Sequence, residues 1–380
     1  MNKKFIAIDL SFIDYFGHKE DVKVSSLTIF ITEILNSFVQ LQYNNNCILL
    51  CRFPDINFFK QEFPNYKIIP ITPLKSKLIY FLSNKKKLGG KFFWKNKFYK
   101  KIIQKYNIAT IWFPFANHKN FIPDNLGIKK ILTVHDIFTY HIGIAKPFFN
   151  KIFSDMDNKF ITVSEYTKKD IEKTLNFKNT TVIYPPICLN VSKVQKLDIT
   201  GKYILDINSY TERKNNITLL KAFNLIKDKI DLNLIFCGGQ KDEKIFNELQ
   251  NFVQANKLET RVRFYFSIPE EEKNWLLLNA TLFVNPSTFE GFGRTPIDAA
   301  LCNIPVISSK ATSLYEATQG LVNYYENPID EIELSQKILY ILNNPTQISD
   351  LTSISDKLMQ TYNPKNIAEK YITVFNKLII

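Results

Sequence analysis

NPSTFEGFGRTPIDAALCNIPVISS, from Asn285 to Ser309, is the stretch of this 380-residue chain from which the fold is read. The apolar residues Leu282–Val284 lead into it as a buried strand, and a helix is expected to open at Thr295. Thr295 suits the N-cap and Pro296 the first helical turn, where a missing N–H costs nothing. Between strand and helix lie Glu290, Gly291, Phe292, Gly293 and Arg294. Glycines let a backbone approach a ligand closely, and unpaired N–H groups at a helix start attract phosphate. Arg294 adds a planar fork of donors in the same place. One carboxylate, Glu290, precedes the glycines, and a second, Asp298, follows eight residues later.

A second segment, YILDINSYTERKNNITLLKAF (Tyr203–Phe223), repeats the strand–loop–helix design. Its strand leads to Ser209, and Arg213-Lys214-Asn215 stand directly before an amphipathic helix. Cations avoid the positive N-terminal end of a helix unless an anion is shared there. Between the two segments, IFCGGQKD sets Gly238-Gly239 after another strand, a common tight turn when taken alone.

Outward from these loops the same alternation continues. Strands are expected at Tyr203–Ile207, Leu232–Cys237, Val262–Phe266, Leu282–Asn285 and Val306–Ser308, with the apolar run Trp275–Leu278 grouped among them. Helices are expected at Asn216–Ile226 and Lys241–Val253. An earlier series places strands at Phe5–Leu10, Cys47–Cys51, Ile68–Ile71, Thr110–Phe113, Ile131–Val134, Phe160–Val163 and Val182–Tyr184, with a helix over Leu27–Val39. Such alternation predicts parallel sheets covered on both faces. Tyr184–Lys202, with Pro185-Pro186, reads as a linker. Two doubly wound domains follow, 1–195 and 196–362, with ligand expected at strand carboxyl ends and in the cleft. In 363–380, Ile367, Tyr371, Ile372, Phe375 and Leu378 fall on one helical stripe.

The chain is 45% hydrophobic and 14% aromatic, which excludes a disordered polymer. No apolar run is long enough to cross a membrane as a helix, and the amino terminus lacks the pattern of a signal peptide. The cysteines (Cys47, Cys51, Cys188, Cys237, Cys302) show no metal-type spacing and mostly sit in apolar strand-like runs, as in a reducing cytoplasm. Residues 1–200 carry 30 Lys+Arg against 15 Asp+Glu, and the remainder 19 against 21, so the halves face different partners. There are only five arginines, and two of them, Arg213 and Arg294, lie in the loops above.

The Glu290…Asp298 spacing around a glycine loop resembles the E-x7-E signature of retaining glycosyltransferases of family four, which have the GT-B fold. The resemblance is strongest over Tyr203–Ser309. It implies an α/β chain of two Rossmann-like domains facing a cleft, with the last helix crossing back to the first domain. It further implies that Glu290 touches the donor sugar and that Gly291, Phe292, Gly293, Arg294 and Thr295 line the donor. Arg213 and Lys214 would grip the donor diphosphate, with Ser209, Gly238 and Gly239 near the nucleotide sugar. Asp298, one methylene shorter than the usual glutamate, reads either as the ribose-binding acid or as part of a capping box with Thr295. Asn208 stands where a glycine is usual.

In the first half, KKILTVHDIF ends a strand with His135-Asp136, and the resemblance implies that both approach the donor sugar. ITVSEYTKKDI matches a recurring element in which Ser164 caps a helix opening at Glu165. The amino-terminal glycine loop of many relatives is poorly matched: only Gly17 stands before Ser25-Ser26. His118 is a further candidate near the cleft. Lys75–Lys101 holds ten lysines and no acid, interleaved with Tyr80, Phe81, Phe92, Phe93, Trp94, Phe98 and Tyr99. It reads as a dock for anionic lipid beside a lipid-linked acceptor on the inner face of the cytoplasmic membrane, or as a solvated helical face.

Asp155-Met156-Asp157 spells a metal-binding Asp-x-Asp, but PFFNKIFS before it reads as helix, so no metal or other cofactor is expected. The predicted function is metal-independent, retaining transfer of a hexose or mannose-type sugar from a nucleotide-diphosphate sugar to a saccharide acceptor in surface polysaccharide biosynthesis. The alternatives are a sugar-nucleotide epimerase on the same scaffold and a basic nucleic-acid-binding protein. The second is disfavoured because the lysines are not matched by arginines and no nucleic-acid module is recognisable.

Overall fold

A computed structural model describes residues 3–13, 26–71, 91–117, 122–239 and 242–379. The chain divides into two compact units. The first comprises 1–163, 167–186 and 364–380; the second comprises 164–166 and 187–363.

The first unit is built on a seven-stranded parallel sheet in the order β3-β2-β1-β4-β5-β6-β7. Its strands are β1 (Phe5–Asp9), β2 (Cys47–Cys51), β3 (Lys67–Pro70), β4 (Ile108–Phe113), β5 (Lys129–Val134), β6 (Asn158–Thr162) and β7 (Thr180–Val182). The central strands are apolar without alternation because helices cover both faces; CILLC of β2 is buried at every position. Ile6 and Ile8 of β1 face the helices Ser26–Gln40 and Pro364–Ile379, while Ala7 faces Lys91–Tyr106 and Lys146–Ser154. The helix Pro364–Ile379 buries the stripe Ile367, Tyr371 and Phe375. The rings of Tyr371 and Phe375 stand 4.8 and 5.4 Å from Trp112 of β4.

The second unit holds a six-stranded parallel sheet, β10-β9-β8-β11-β12-β13. Its strands are β8 (Tyr203–Ile207), β9 (Asn233–Gly238), β10 (Val262–Phe266), β11 (Leu282–Asn285), β12 (Val306–Ser309) and β13 (Asn323–Tyr325). Strand order reverses between β8 and β11, so the loops after these two strands are neighbours at the sheet's carboxyl edge. In open α/β sheets this is where ligands bind.

Two expectations need correction. Trp275–Leu278 is no strand but part of the helix Glu270–Asn279, which starts after Pro269 with three glutamates in its first turn, a favourable arrangement at a helix N-terminus. The unit boundary falls after Pro186 rather than at 195. Residues 187–195 are tied to that same helix: Asn274 Nδ2 donates to the carbonyls of Asn190 (3.1 Å) and Lys193 (3.0 Å), and Gln195 N–H donates to Glu271 O (3.0 Å).

Candidate functional site

The loop after β8 ends in a short 3-10 turn, Glu212–Lys214, and then Asn215 at φ +54°, a left-handed conformation that asparagine tolerates better than most residues. Asn215 Nδ2 donates to the carbonyls of Pro286 (3.0 Å) and Pro328 (2.6 Å), and its Oδ1 accepts from Thr218 Oγ1 (2.8 Å). Thr288 N–H donates to Arg213 O at 2.8 Å. The loops after β8 and β11 are thereby stitched together by backbone.

Across that seam Glu290 meets both cations. Lys214 Nζ pairs with Oε1, Arg213 Nη1 lies 3.2 Å from Oε2, and the same Arg213 nitrogen donates to Phe289 O (3.0 Å). Glu290 is buried. Burial pushes its carboxyl up, but the charges of Lys214 and Arg213 outweigh that and hold it below the ordinary carboxylate value. Its backbone is equally fixed. Glu290 N–H donates to Thr312 Oγ1 (2.9 Å), and Ser313 Oγ donates to the carbonyls of Glu290 (2.8 Å) and Phe292 (3.0 Å). Gly293 turns at φ +92°, and a Cβ there would lie 2.5 Å from Leu314 Cδ2. The structure thus brings together Arg213, Lys214 and Glu290: two cations converging on one acid at the switch point.

Several neighbouring expectations change. Thr295 is not the N-cap of Thr295–Leu301. The first helical bonds, from the N–H groups of Ile297 and Asp298, go to Arg294 O, and Thr295 Oγ1 accepts from Asn285 Nδ2 (3.3 Å). Asp298 forms no capping box either: its Oδ2 accepts from Arg294 Nε (3.2 Å), and its buried Oδ1 has no partner among the described residues. Ser164 precedes the helix Glu165–Leu175 and also reaches the glycine loop. Its hydroxyl donates to Gly291 O (2.7 Å), and the N–H groups of Glu165 and Tyr166 donate to the Glu316 carboxylate (2.6 and 3.0 Å). Gly238 is required by its neighbour, since a Cβ there would stand 2.0 Å from Asn208 O, whereas a Cβ on Gly239 meets nothing within 4 Å. Ser209 is half-buried beside Asn208.

One residue of this site escaped the sequence reading. Asp206, inside the strand YILDI, is fully buried and accepts from Asn208 Nδ2 at Oδ1 (2.6 Å) and from Asn216 Nδ2 at Oδ2 (2.7 Å). Burial raises its carboxyl to about 7, against the pull of the two amides and of Lys214. The available signal was an acid in the middle of an apolar strand, where an ionisable group is costly unless paired.

In the first unit, His135 follows β5. Its Nε2 donates to Pro114 O (3.0 Å), an acceptor only, and its ring lies 5.1 and 5.5 Å from those of Phe30 and Phe115. Burial pushes this imidazole down, so it is neutral at pH 7. Asp136 Oδ1 accepts from Phe138 N–H (3.0 Å), a turn-forming bond at the start of Phe138–His141. Asp155 closes the helix Lys146–Ser154 and pairs with Lys130 (2.8 Å). No cluster of potential metal ligands occurs among the described residues.

Gly17, Ser25 and His118 lie outside the described residues, as does most of the basic stretch. Within its described part, Lys97, Lys100 and Lys101 are exposed, but Tyr99 is a core residue bonded to Asp9 and does not belong to a docking face. Among the described residues, no helix is long and apolar enough to cross a membrane.

Fold and site together define a doubly wound, two-unit α/β protein of the GT-B class whose second unit gathers Arg213, Lys214 and Glu290 on two adjoining loops. Comparison with known proteins makes this specific: residues 190–358 match the family described as Glycosyl transferases group 1. The chain is 28% identical over 239 residues (57% of this chain, 54% of the relative) to the alpha-1,3/1,6-mannosyltransferase ALG2 of Dictyostelium discoideum. It is 28% identical over 247 residues (58% and 63%) to the O-antigen chain mannosyltransferase B of Escherichia coli. It is 31% identical over 235 residues (58% and 63%) to the O-antigen chain mannosyltransferase RfbU of Salmonella typhimurium. It spans less than two thirds of the length of these relatives. Among solved structures, Anabaena Alr3699/HepE in complex with UDP-glucose superposes with a TM-score of 0.73 at 14% identity, over 98% of this chain and 99% of that one. A glycosyltransferase from Rickettsia africae gives 0.69 at 15%, over 100% and 99%. At such identities the likeness is one of fold.

Proposed function

We propose that this protein transfers a sugar, with retention of anomeric configuration, from a nucleotide-diphosphate sugar to a saccharide acceptor in surface polysaccharide or glycan synthesis. The observation that carries the reading is the convergence of Arg213 and Lys214 on Glu290 at the carboxyl edge of the second sheet. Departure of a nucleoside diphosphate builds negative charge, and cations already fixed in place stabilise it without reorganisation. Arg213 and Lys214 supply that charge in place of a metal. Glu290, released from them by the incoming diphosphate, orients the sugar. Arg294 and the backbone from Gly291 to Gly293 line the donor, and Asp298 offers its unpartnered Oδ1 to a ribose hydroxyl. Ser209, Gly238 and Gly239 flank the nucleotide. His135, neutral at working pH, and Asp136 are proposed to take part in sugar binding.

The mannosyltransferase relatives favour a mannose-type donor, and the O-antigen relatives a lipid-linked acceptor at the cytoplasmic membrane surface. The lysines of the 75–101 segment are proposed to meet that surface. The decisive experiment incubates the protein with a panel of nucleotide sugars, with and without acceptor, and reads nucleoside diphosphate release and the anomer of the product by NMR. Retention with acceptor-dependent release supports the proposal. Conversion of donor alone indicates an epimerase, and inversion refutes the assignment.

A further inference from the structure

Asp206 takes no part in the reaction outlined above, yet it is a fully buried acid two strand positions before Asn208 and ten before Asn216. Those asparagines stand at the two ends of the loop that carries Ser209, Arg213 and Lys214. Both amide nitrogens donate to this one carboxylate, at 2.6 and 2.7 Å, one on each oxygen. Both amide oxygens are buried without a partner among the described residues, so the asparagines are not held by other side-chain acceptor bonds. Among the described residues no cation pairs directly with Asp206. The geometry points to Asp206 as a positioning residue that clamps both ends of the 208–216 loop and thereby aims Arg213 and Lys214 at the donor diphosphate. This rests on the proposed diphosphate site.

The clamp depends on ionisation. A carboxylate offers charged lone pairs to both amides; once protonated, one oxygen becomes a hydroxyl, a poorer acceptor whose proton competes for the same space, and its hold on its asparagine weakens. The groups facing Asp206 are Lys214 on its own loop, which favours the charged form, and Glu290 on the β11 loop, which opposes it. Tyr210, the β9 residue Cys237 and the β13 residue Tyr325 are neighbours that remain neutral at working pH. Burial brings the midpoint to about 7, within the physiological range. Simple electrostatics makes the opposite forecast to the clamp: removing a negative charge beside Lys214 should tighten the hold on an anion.

The test is calorimetric binding of inorganic pyrophosphate to the full chain from pH 5.5 to 8.5, comparing Asp206→Asn with the unaltered protein at each pH so that the probe's own titration cancels. The clamp predicts binding weakened about ten-fold at pH 8.5, the size of one or two lost charge-assisted hydrogen bonds, with the two proteins converging at pH 5.5. Equal affinities at every pH, or tighter binding by the variant, overturns it. Should Asp206→Asn not fold, Asn208→Ala reads the same device. Releasing one end should weaken pyrophosphate binding at pH 8.5 and move the loss of binding to higher pH, and an unchanged profile overturns the clamp. Lys214→Ala separates the two proposals. If that variant binds pyrophosphate as well as the unaltered protein, or if the unaltered protein does not bind it, the diphosphate site fails and the clamp with it. If Lys214→Ala abolishes binding while Asp206→Asn does not alter it, only the clamp fails.

Discussion

Lys214 and Glu290, 76 residues apart in the chain, form an ion pair across the seam between the loops after β8 and β11. Either loop alone is an ordinary connection. Joined, they hold two cations and one acid at the single point of the sheet where strand order reverses. That is why these residues, rather than the many exposed lysines, are singled out for chemistry.

Replacing Lys214 by Ala is expected to lower the turnover number ~100-fold or more, the scale of losing a fixed charge from a developing anion. Steady-state release of nucleoside diphosphate measures it, and near-normal turnover contradicts the assigned role. Arg213→Ala should follow in the same direction and by less, because its guanidinium is more exposed and further from Glu290.

Glu290→Gln removes the counter-charge from both cations and should cost ~1–3 kcal/mol of stability at pH 7, discounted for the partial exposure of Arg213. Because the folded carboxyl titrates below the unfolded value of 4.5, this stabilisation is complete above that pH. It is lost as pH falls through the folded value. Urea unfolding at pH 7 and at pH 3 should therefore show a clear gap between variant and parent at neutrality and a smaller one in acid.

Asp206 has the opposite sign. Its folded carboxyl sits at about 7, above the unfolded value of 3.8, so its contribution to stability is best below pH 4 and declines as pH rises through 7. The Tm of Asp206→Asn relative to the parent should accordingly improve between pH 4 and pH 8. A gap independent of pH shows that the group does not titrate in this range.

Chelation bears on the source of positive charge. With Arg213 and Lys214 supplying it, dialysis against EDTA should leave turnover within about two-fold of its starting value, whereas a metal-assisted departure would lose orders of magnitude. Loss of activity restored by a divalent cation refutes metal independence.

Much of the fold is legible in the chain because parallel strands covered on both faces are written as unbroken apolar runs; CILLC and YILDI need no partner to be recognised. Tyr203–Ile207, Asn216–Ile226 and Val262–Phe266 have the same bounds in sequence and structure. What misleads is a run such as WLLL, where four apolar residues fit the end of a buried helix as well as a strand. Cap geometry was out of reach too: Arg294 rather than Thr295 receives the first helical bonds, a difference of one carbonyl. At the site, Glu290, Arg213 and Lys214 could be named, but not that they bind one another, since pairing across 76 residues is set by strand order. Asp206 went unnoticed because an acid inside a strand has no local signature of what it holds.

The helix Pro364–Ile379 follows the second unit in the chain but lies with the first, packed on Trp112. On the ribosome, the opening strands must therefore wait for the whole second unit to be made before the aromatic stack that seals them emerges. During that interval a face of the early sheet centred on Trp112 stays uncovered. A chain cut directly after Asn363 would leave it so permanently, which makes the soundness of the first unit depend on residues made after the whole of the second.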